Sequence, residues 1–175
     1  KKIPEYTLLN PSMSLNEFKF IFWWEYIHRL LGRLIGLLYI IPLVFFTVNK
    51  KFRTKDLLSY YFIFFLICFQ GFIGWYMVTS GLTERTDVSH YRLSIHLILA
   101  FIIFILLLWS FLKTKYKNKF NNFNKLPYYL PNFFLFLILL QISVGALVSG
   151  LDAGQIYQTW PLMNQDFFPN DSKIK

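Results

Sequence analysis

Residues 57–80 read LLSYYFIFFLICFQGFIGWYMVTS, a run of 24 residues without a single charged side chain. A helix of roughly 20 mostly apolar residues is long enough to cross the hydrocarbon core of a bilayer. Three further stretches have this length and character, at residues 27–48, 91–112 and 131–150. Backbone polar groups in lipid must be satisfied within the segment, so each run is expected to be helical. The sequence therefore predicts an all-α, polytopic membrane helical bundle with four transmembrane helices.

The composition of the whole chain agrees with a membrane protein and excludes two other classes. Hydrophobic residues make up 55% of the 175 residues and charged residues only 15%, whereas a soluble domain carries about 25% charge. So much apolar side chain excludes intrinsic disorder. A disulfide-stapled secreted domain is also excluded, because Cys68 is the only cysteine. We expect Cys68 to be a buried small apolar residue.

The excess of basic residues is concentrated in two short loops. Residues 49–56 and 113–125 together hold nine of the chain's 18 Lys and Arg residues and one acid, Asp56. Lys and Arg remain on the cytoplasmic side of a membrane. Both loops are therefore predicted to lie inside, and the chain ends and the loop before residue 91 outside. The net charge of +9 is read as a topology signal, and no nucleic-acid partner is expected because no binding motif accompanies it.

These assignments divide the remainder of the chain into connecting segments. Residues 1–26 form an outer segment with an amphipathic lead-in to the first span, and residues 113–130 form a basic inner loop. Outer loops are expected at residues 81–90 and 151–175. The lipid bilayer of a bacterial inner membrane or a mitochondrial inner membrane is the expected location, since both follow the same charge rule.

The first span begins with a polar stripe, in the sequence WEYIHRLLGRLIG at residues 24–36. At about 100° per residue, Glu25, His28, Gly32 and Gly36 share one helical face. Arg29 and Arg33 flank that face, and all six residues are candidate site residues. Ionisable groups are costly at membrane depth and usually have a function there. The two glycines leave room for a flat group against the helix.

A structural interpretation of the same stripe stays open. Gly32 and Gly36 form a small-xxx-small pattern, which is a common helix-packing device. Glu25 and Arg29 are four residues apart, the spacing of an ordinary ion pair on a helix surface. The combination of acid, imidazole, guanidinium and glycine on one stripe favours a functional site.

A second histidine is expected at matching depth on the third span. His96 lies about one turn inside the outer boundary, with Arg92 four residues before it on the same face. Because the first and third spans run in the same direction, His28 and His96 are predicted to lie in the same outer leaflet. Two imidazoles so placed could ligate one heme iron axially, and the arginines could pair with its propionates. A lone ion such as Zn²⁺ usually needs about three or four protein ligands, more than these two histidines provide. His90 is interpreted as a solvent or interface residue.

Seven stretches of the chain resemble the heme A synthase family, most closely its mitochondrial and alphaproteobacterial branch. They include part of every outer loop and lie at residues 4–6, 17–19, 21–33, 70–78, 88–93, 145–154 and 159–163. The resemblance implies an eight-helix protein of two pseudosymmetric halves, each with a histidine pair for heme. It identifies this chain with about the second to fifth spans of such a protein.

The resemblance also implies an activity and a set of site residues. The family oxidises a methyl group of heme O to a formyl group by successive hydroxylations, which makes the heme of cytochrome c oxidase. His28 and His96 would be the axial ligands of the substrate, heme O, and heme B would occupy the second-half site. Glu25 matches the acidic residue that activity needs, in a role that could be proton transfer or positioning of a water. Expected partners are heme O, a heme O synthase, electron-transfer proteins and a second copy of the chain.

Two other functions are compatible with the polar residues alone. A bis-histidine cytochrome b would only carry electrons, and Glu25 next to His28 favours the enzyme over it. An assembly or scaffold protein would use the stripe for helix packing and would bind no heme.

Overall fold

The computed structural model describes residues 12–81, 88–116, 127, 129–159, 161–163 and 166–168. Four long helices and one short helix follow in chain order: α1 Leu15–Val48, α2 Thr54–Gly81, α3 His90–Lys115, α4 Tyr129–Gly150 and α5 Ala153–Ile156. Within these ranges no strand forms, and a single isolated bridge joins Met163 and Asp166. The four long helices are each long and apolar enough to cross a membrane. The prediction of an all-α protein with four transmembrane helices is confirmed.

Parts of several predicted connecting segments lie outside the described residues. These parts are residues 1–11 of the outer segment, 82–87 of the first outer loop, 117–126 and 128 of the inner loop, and 160, 164–165 and 169–175 of the last outer loop.

Helix α1 is one continuous helix that includes the lead-in as well as the first apolar span. It starts with a capping box: the Ser14 hydroxyl accepts from the Glu17 N–H at 3.3 Å, and the Glu17 carboxylate accepts from the Ser14 N–H at 2.8 Å. Such reciprocal bonds satisfy donors that a helix start leaves unpaired. Pro42 lies inside the helix without ending it. At about 1.5 Å per residue the helix is roughly 50 Å long, so it exceeds a hydrocarbon core of about 30 Å.

The four long helices pack as a row in which each contacts the next along the chain. Between α1 and α2, the Tyr39 hydroxyl donates to the Tyr60 carbonyl at 3.0 Å. Between α3 and α4, the buried Ser94 hydroxyl donates to the Ser143 carbonyl at 3.2 Å. An ion pair of 3.1 Å between Lys113 and Asp56 joins the ends of α3 and α2 on the predicted inner side.

Most large apolar side chains of the helices are exposed, and the buried hydrophobic residues are few. In the described part of the chain they are Leu43, Ile63, Ile103 and Ala146. A soluble protein would not present so much apolar surface to water, whereas lipid tails or further transmembrane helices are suitable neighbours for it. The exposed surface thus agrees with a bundle embedded in a membrane.

Candidate functional site

The outer half of α1 stands apart from the other helices. Every residue from Leu15 to Ile35 is exposed, whereas Leu43 on the inner half of the same helix is buried. The recorded contacts between α1 and α2 also come from the inner half, where Tyr39 stacks on Phe64 with ring centroids 6.3 Å apart. The outer half of α1 therefore borders an open space, and His28 lies on this part of the helix.

Gly32 and Gly36 keep this space clear beside His28. A Cβ atom added to either glycine would meet no atom within 4 Å, apart from the helix's own backbone. Among the described residues, neither glycine therefore contacts another helix, as the helix-packing alternative would require. The backbone of α1 is open to a flat ligand over the two turns that follow His28.

His96 is held against α2 by two neighbours. A Cβ atom added to Gly74 would lie 3.1 Å from His96 Cε1 and 3.7 Å from Nδ1, so the imidazole sits directly on the glycine backbone. One turn away on α2, the Gln70 side chain donates from Nε2 to the His96 carbonyl at 3.0 Å. His96 Nδ1 and Gln70 Oε1 are both buried without a hydrogen-bond partner.

His28 and His96 lie on two helices, α1 and α3, that both pack against α2. The imidazole of His96 contacts α2 at Gly74, whereas His28 lies on the exposed outer half of α1. An electrostatic interaction between the two side chains places them in the same region of the bundle.

Glu25 and Arg29 form the ion pair that their spacing allows. Arg29 Nη2 lies 3.1 Å from Glu25 Oε2, and the side chains are 53% and 61% exposed, respectively. Glu25 lies about one turn outward from His28 along α1, and Arg29 directly follows His28. An exposed pair of this kind contributes little stability, so both side chains are free to turn toward a ligand at little energetic cost.

The other two arginines lie at the same end of the bundle. Arg92 is half-buried and its guanidinium lies 4.7 Å from the centre of the Tyr76 ring on α2. It thus faces the same helix as His96, one turn toward the predicted outer surface. Arg33 is exposed, one turn inward from Arg29 on α1. The structure therefore places one guanidinium on the His96 side of the space and two on the His28 side.

The third histidine belongs to a different contact. A Cβ atom added to Gly150 would lie 2.8 Å from His90 Cβ and 2.9 Å from His90 Cα, so α3 and α4 approach closely there. His90 is half-buried and pairs with the Tyr91 ring at 4.1 Å. The expectation that Cys68 is buried is wrong, because Cys68 is exposed. Cys68 lies mid-span on α2, at a face that the other described residues leave uncovered.

These donors fit a heme better than a bare metal ion. In the described ranges no group of three or more His, Cys, Asp and Glu side chains lies close enough to hold a metal, and structural Zn²⁺ needs about four such ligands. A porphyrin supplies four nitrogens itself, so two imidazoles complete its iron. The open backbone at Gly32 and the unpartnered Nδ1 of His96 also suit a ligating histidine pair.

Sequence reasoning did not assign Gln70 and Gly74 to the site. Both residues lie in one of the two uncharged spans, where their spacing is a weak echo of Gln141 and Gly145. A lone amide in an apolar membrane helix is itself a signal, because it needs a polar partner on another helix. The identity of that partner, the backbone of His96, depends on helix packing.

Comparison with known proteins establishes the family. The family described as cytochrome oxidase assembly protein, COX15-CtaA, matches residues 1–174. The chain belongs to this family. A cytochrome oxidase assembly protein with four helices of membrane-spanning length is a multi-pass membrane protein, and its bacterial relatives locate it in the inner membrane.

Three relatives within the cytochrome oxidase assembly family carry the name heme A synthase. The protein of Pelagibacter ubique is 57% identical over 98% of this chain and 50% of its own length. Those of Rickettsia bellii and Rickettsia felis are 46% and 43% identical, each over 99% of this chain and 52% of their own length. The chain thus spans about half the length of the curated relatives it matches. No solved structure matches it.

Proposed function

We propose that the protein is a heme A synthase, which oxidises a methyl group of heme O to a formyl group. The observation that carries the proposal is the seating of the His96 imidazole on Gly74, while His28 lies on the exposed part of α1 beside the uncovered Gly32 backbone. Family membership and relatives named heme A synthase support the same reaction. Because the chain spans half the length of these relatives, the activity is proposed for the protein in full length.

In this proposal His28 and His96 would hold heme O through its iron. The exposed backbone of Gly32 and Gly36 would leave room for the porphyrin, since neither glycine has a side chain to obstruct it. A planar, permanently charged guanidinium is well suited to a propionate carboxylate. In this proposal Arg92 binds one propionate from α3, and Arg33 or Arg29 binds the other from α1.

Glu25 is proposed as the acid–base residue at the reacting methyl group. Its carboxylate is held by Arg29 at 3.1 Å, in an exposed pair that can open. When Arg29 turns to a propionate, the Glu25 carboxylate is released beside the substrate, where it can accept a proton or orient a water. Binding of a heme propionate by Arg29 would thus both hold the substrate and release the Glu25 carboxylate.

Further components of the proposed enzyme are not among the described residues. We propose an eight-helix, pseudosymmetric protein in which a second histidine pair holds heme B, which supplies electron-transfer chemistry when bound. A heme O synthase is proposed to deliver the substrate, and electron-transfer proteins to remove the electrons. Self-association of the protein is a further proposal.

The test is a direct measurement of the product. The full-length protein is produced in a host that makes heme O and has lost its own heme A synthase, and the hemes are extracted and separated. Heme A is expected from wild type and from His90→Ala, whose histidine lies at the α3–α4 contact, and heme O alone from His28→Ala. If wild type returns only heme O while its iron still cycles between redox states, the protein is an electron-carrying cytochrome b. If wild type retains no heme, the scaffold function is correct.

A further inference from the structure

The Gln70 side chain forms one hydrogen bond with His96, and its other polar atom has no hydrogen-bond partner. Its Nε2 donates to the His96 backbone carbonyl at 3.0 Å, which brings the amide to the residue that carries the imidazole. Its Oε1 is buried and accepts no hydrogen bond. Uncompensated burial of an acceptor is unfavourable, and more so in a membrane, where water is scarce.

The imidazole of His96 presents the complementary atom. Nδ1 is buried and has no hydrogen-bond partner. A histidine that ligates a metal through Nε2 carries its proton on Nδ1, and that N–H almost always donates to a neighbouring oxygen. The structure thus contains an unpaired acceptor and an unpaired donor position on two residues already in contact.

We propose that Gln70 is a positioning residue for His96, whose Nδ1–H donates to Gln70 Oε1 when Nε2 ligates the heme iron. The inference rests on the proposed function, since it takes His96 to be an axial ligand. Gln70 then holds His96 at both its backbone carbonyl and its ring. The amide fixes the tautomer that leaves Nε2 for the iron and fixes the rotation of the ring.

Gly74 completes this support from the same helix. It lies one turn along α2 from Gln70, and the ring occupies the volume that any side chain at residue 74 would fill. The same Gln-x-x-x-Gly spacing recurs at Gln141 and Gly145 on α4. There the glycine has no atom within 4 Å of its Cβ position and the glutamine is exposed. The pair on α2 differs because it faces an imidazole.

The experiment compares three variants of the full-length protein loaded with heme O. Gln70→Met removes the acceptor and the donor at similar length, Gln70→Glu keeps an acceptor oxygen, and Gln141→Met is the matched control. Loss of the hydrogen bond makes the imidazole a weaker electron donor to iron. Gln70→Met is expected to retain this heme roughly tenfold less tightly and to raise its midpoint potential. Gln70→Glu is expected at or below the wild-type potential, and Gln141→Met at the wild-type value.

The outcomes separate this inference from the proposed function. A wild-type potential in Gln70→Met overturns the positioning role. Equal upward shifts in Gln70→Met and Gln70→Glu also overturn it, because they assign the effect to the lost bond with the His96 carbonyl, which only packs the helices. If Gln70→Met does not accumulate in the membrane, the potential of Gln70→Glu decides alone, and a rise above wild type counts against the role. His96→Ala is the reference: if it keeps the heme O signal, the proposed site itself is wrong.

Discussion

Glu25 shows how one side chain can have a structural contact and a chemical role. It pairs with Arg29 at 3.1 Å on an exposed face of α1, which is the arrangement of an ordinary surface ion pair. The same carboxylate lies three residues before His28 on the stripe that borders the open space. An exposed pair has little to lose when it opens, so the stability contact does not prevent a role in proton transfer.

Replacement of Glu25 by Gln is predicted to lower turnover much more than stability. General acid–base groups contribute about 10²–10⁴-fold to rate, so heme A formation should fall by at least about 100-fold. The lost ion pair should cost no more than about 0.5 kcal/mol of unfolding free energy, because it is an exposed i,i+4 pair. Heme content, heme A yield and thermal unfolding in detergent check the prediction.

Glu17→Gln is the matched control for this substitution. Glu17 lies on the same helix, accepts from Ser14 in the capping box, and Gln can serve in that box as well. It should leave turnover unchanged. Turnover of Glu25→Gln within about twofold of wild type would assign Glu25 to the ion pair alone, since a general acid or base contributes far more.

Helix packing decides which of the polar residues meet. The apolar runs predict the number of spans, because a run of about 20 apolar residues has few alternatives to a membrane helix. The stripe of Glu25, His28 and Gly32 was likewise visible from the 3.6-residue period. The sequence does not predict which helix faces pack against each other, because apolar side chains surround every span and lipid does not drive one face inward.

Two features of the site depended on that packing. One is the separation of the outer half of α1, where all residues from Leu15 to Ile35 are exposed. The other is the contact of His96 with Gly74, which requires α2 and α3 to approach at that turn. Neither is a property of a single helix, so periodicity along one segment could not supply them.

Gly74→Ala is predicted to weaken heme binding, and Gly71→Ala is not. The new methyl at residue 74 would lie 3.1 Å from His96 Cε1, so the ring must move by a few tenths of an ångström. At residue 71 a methyl meets nothing within 4 Å. Both changes raise helix propensity by the same amount, about 1 kcal/mol, so their difference isolates the contact with the imidazole.

Titration of the loaded full-length variants with a competing heme-binding protein gives the measurement. Gly74→Ala should release heme O several-fold more readily than Gly71→Ala. Equal retention in both would mean that His96 has enough room to ligate without the glycine.

The charge distribution assigns a direction to the whole molecule. The turn between α1 and α2 carries Lys50, Lys51 and Arg53, and the end of α3 carries Lys113 and Lys115. The Lys113–Asp56 ion pair joins these two regions, so the structure brings them to one end of the bundle. The positive-inside rule makes that end cytoplasmic. The other end, where His28 and His96 lie, is then predicted to face the periplasm.

Cysteine labelling of intact cells is predicted to report this topology. With Cys68→Ala as background, a membrane-impermeant maleimide should label Gln155→Cys from outside and should label Lys51→Cys only after the membrane is opened. Both side chains are exposed, so accessibility depends on sidedness and not on burial. Labelling of Lys51→Cys in intact cells together with protection of Gln155→Cys would invert the orientation.

His28 and His96 are proposed to hold one heme iron between them. The most direct measurement is the low-temperature electron paramagnetic resonance spectrum of the full-length protein loaded with heme O. Wild type should show a low-spin ferric signal of bis-imidazole type for this heme, and His28→Ala and His96→Ala should each lose it, while His90→Ala keeps it. Persistence of that low-spin signal in either His28→Ala or His96→Ala would contradict the account.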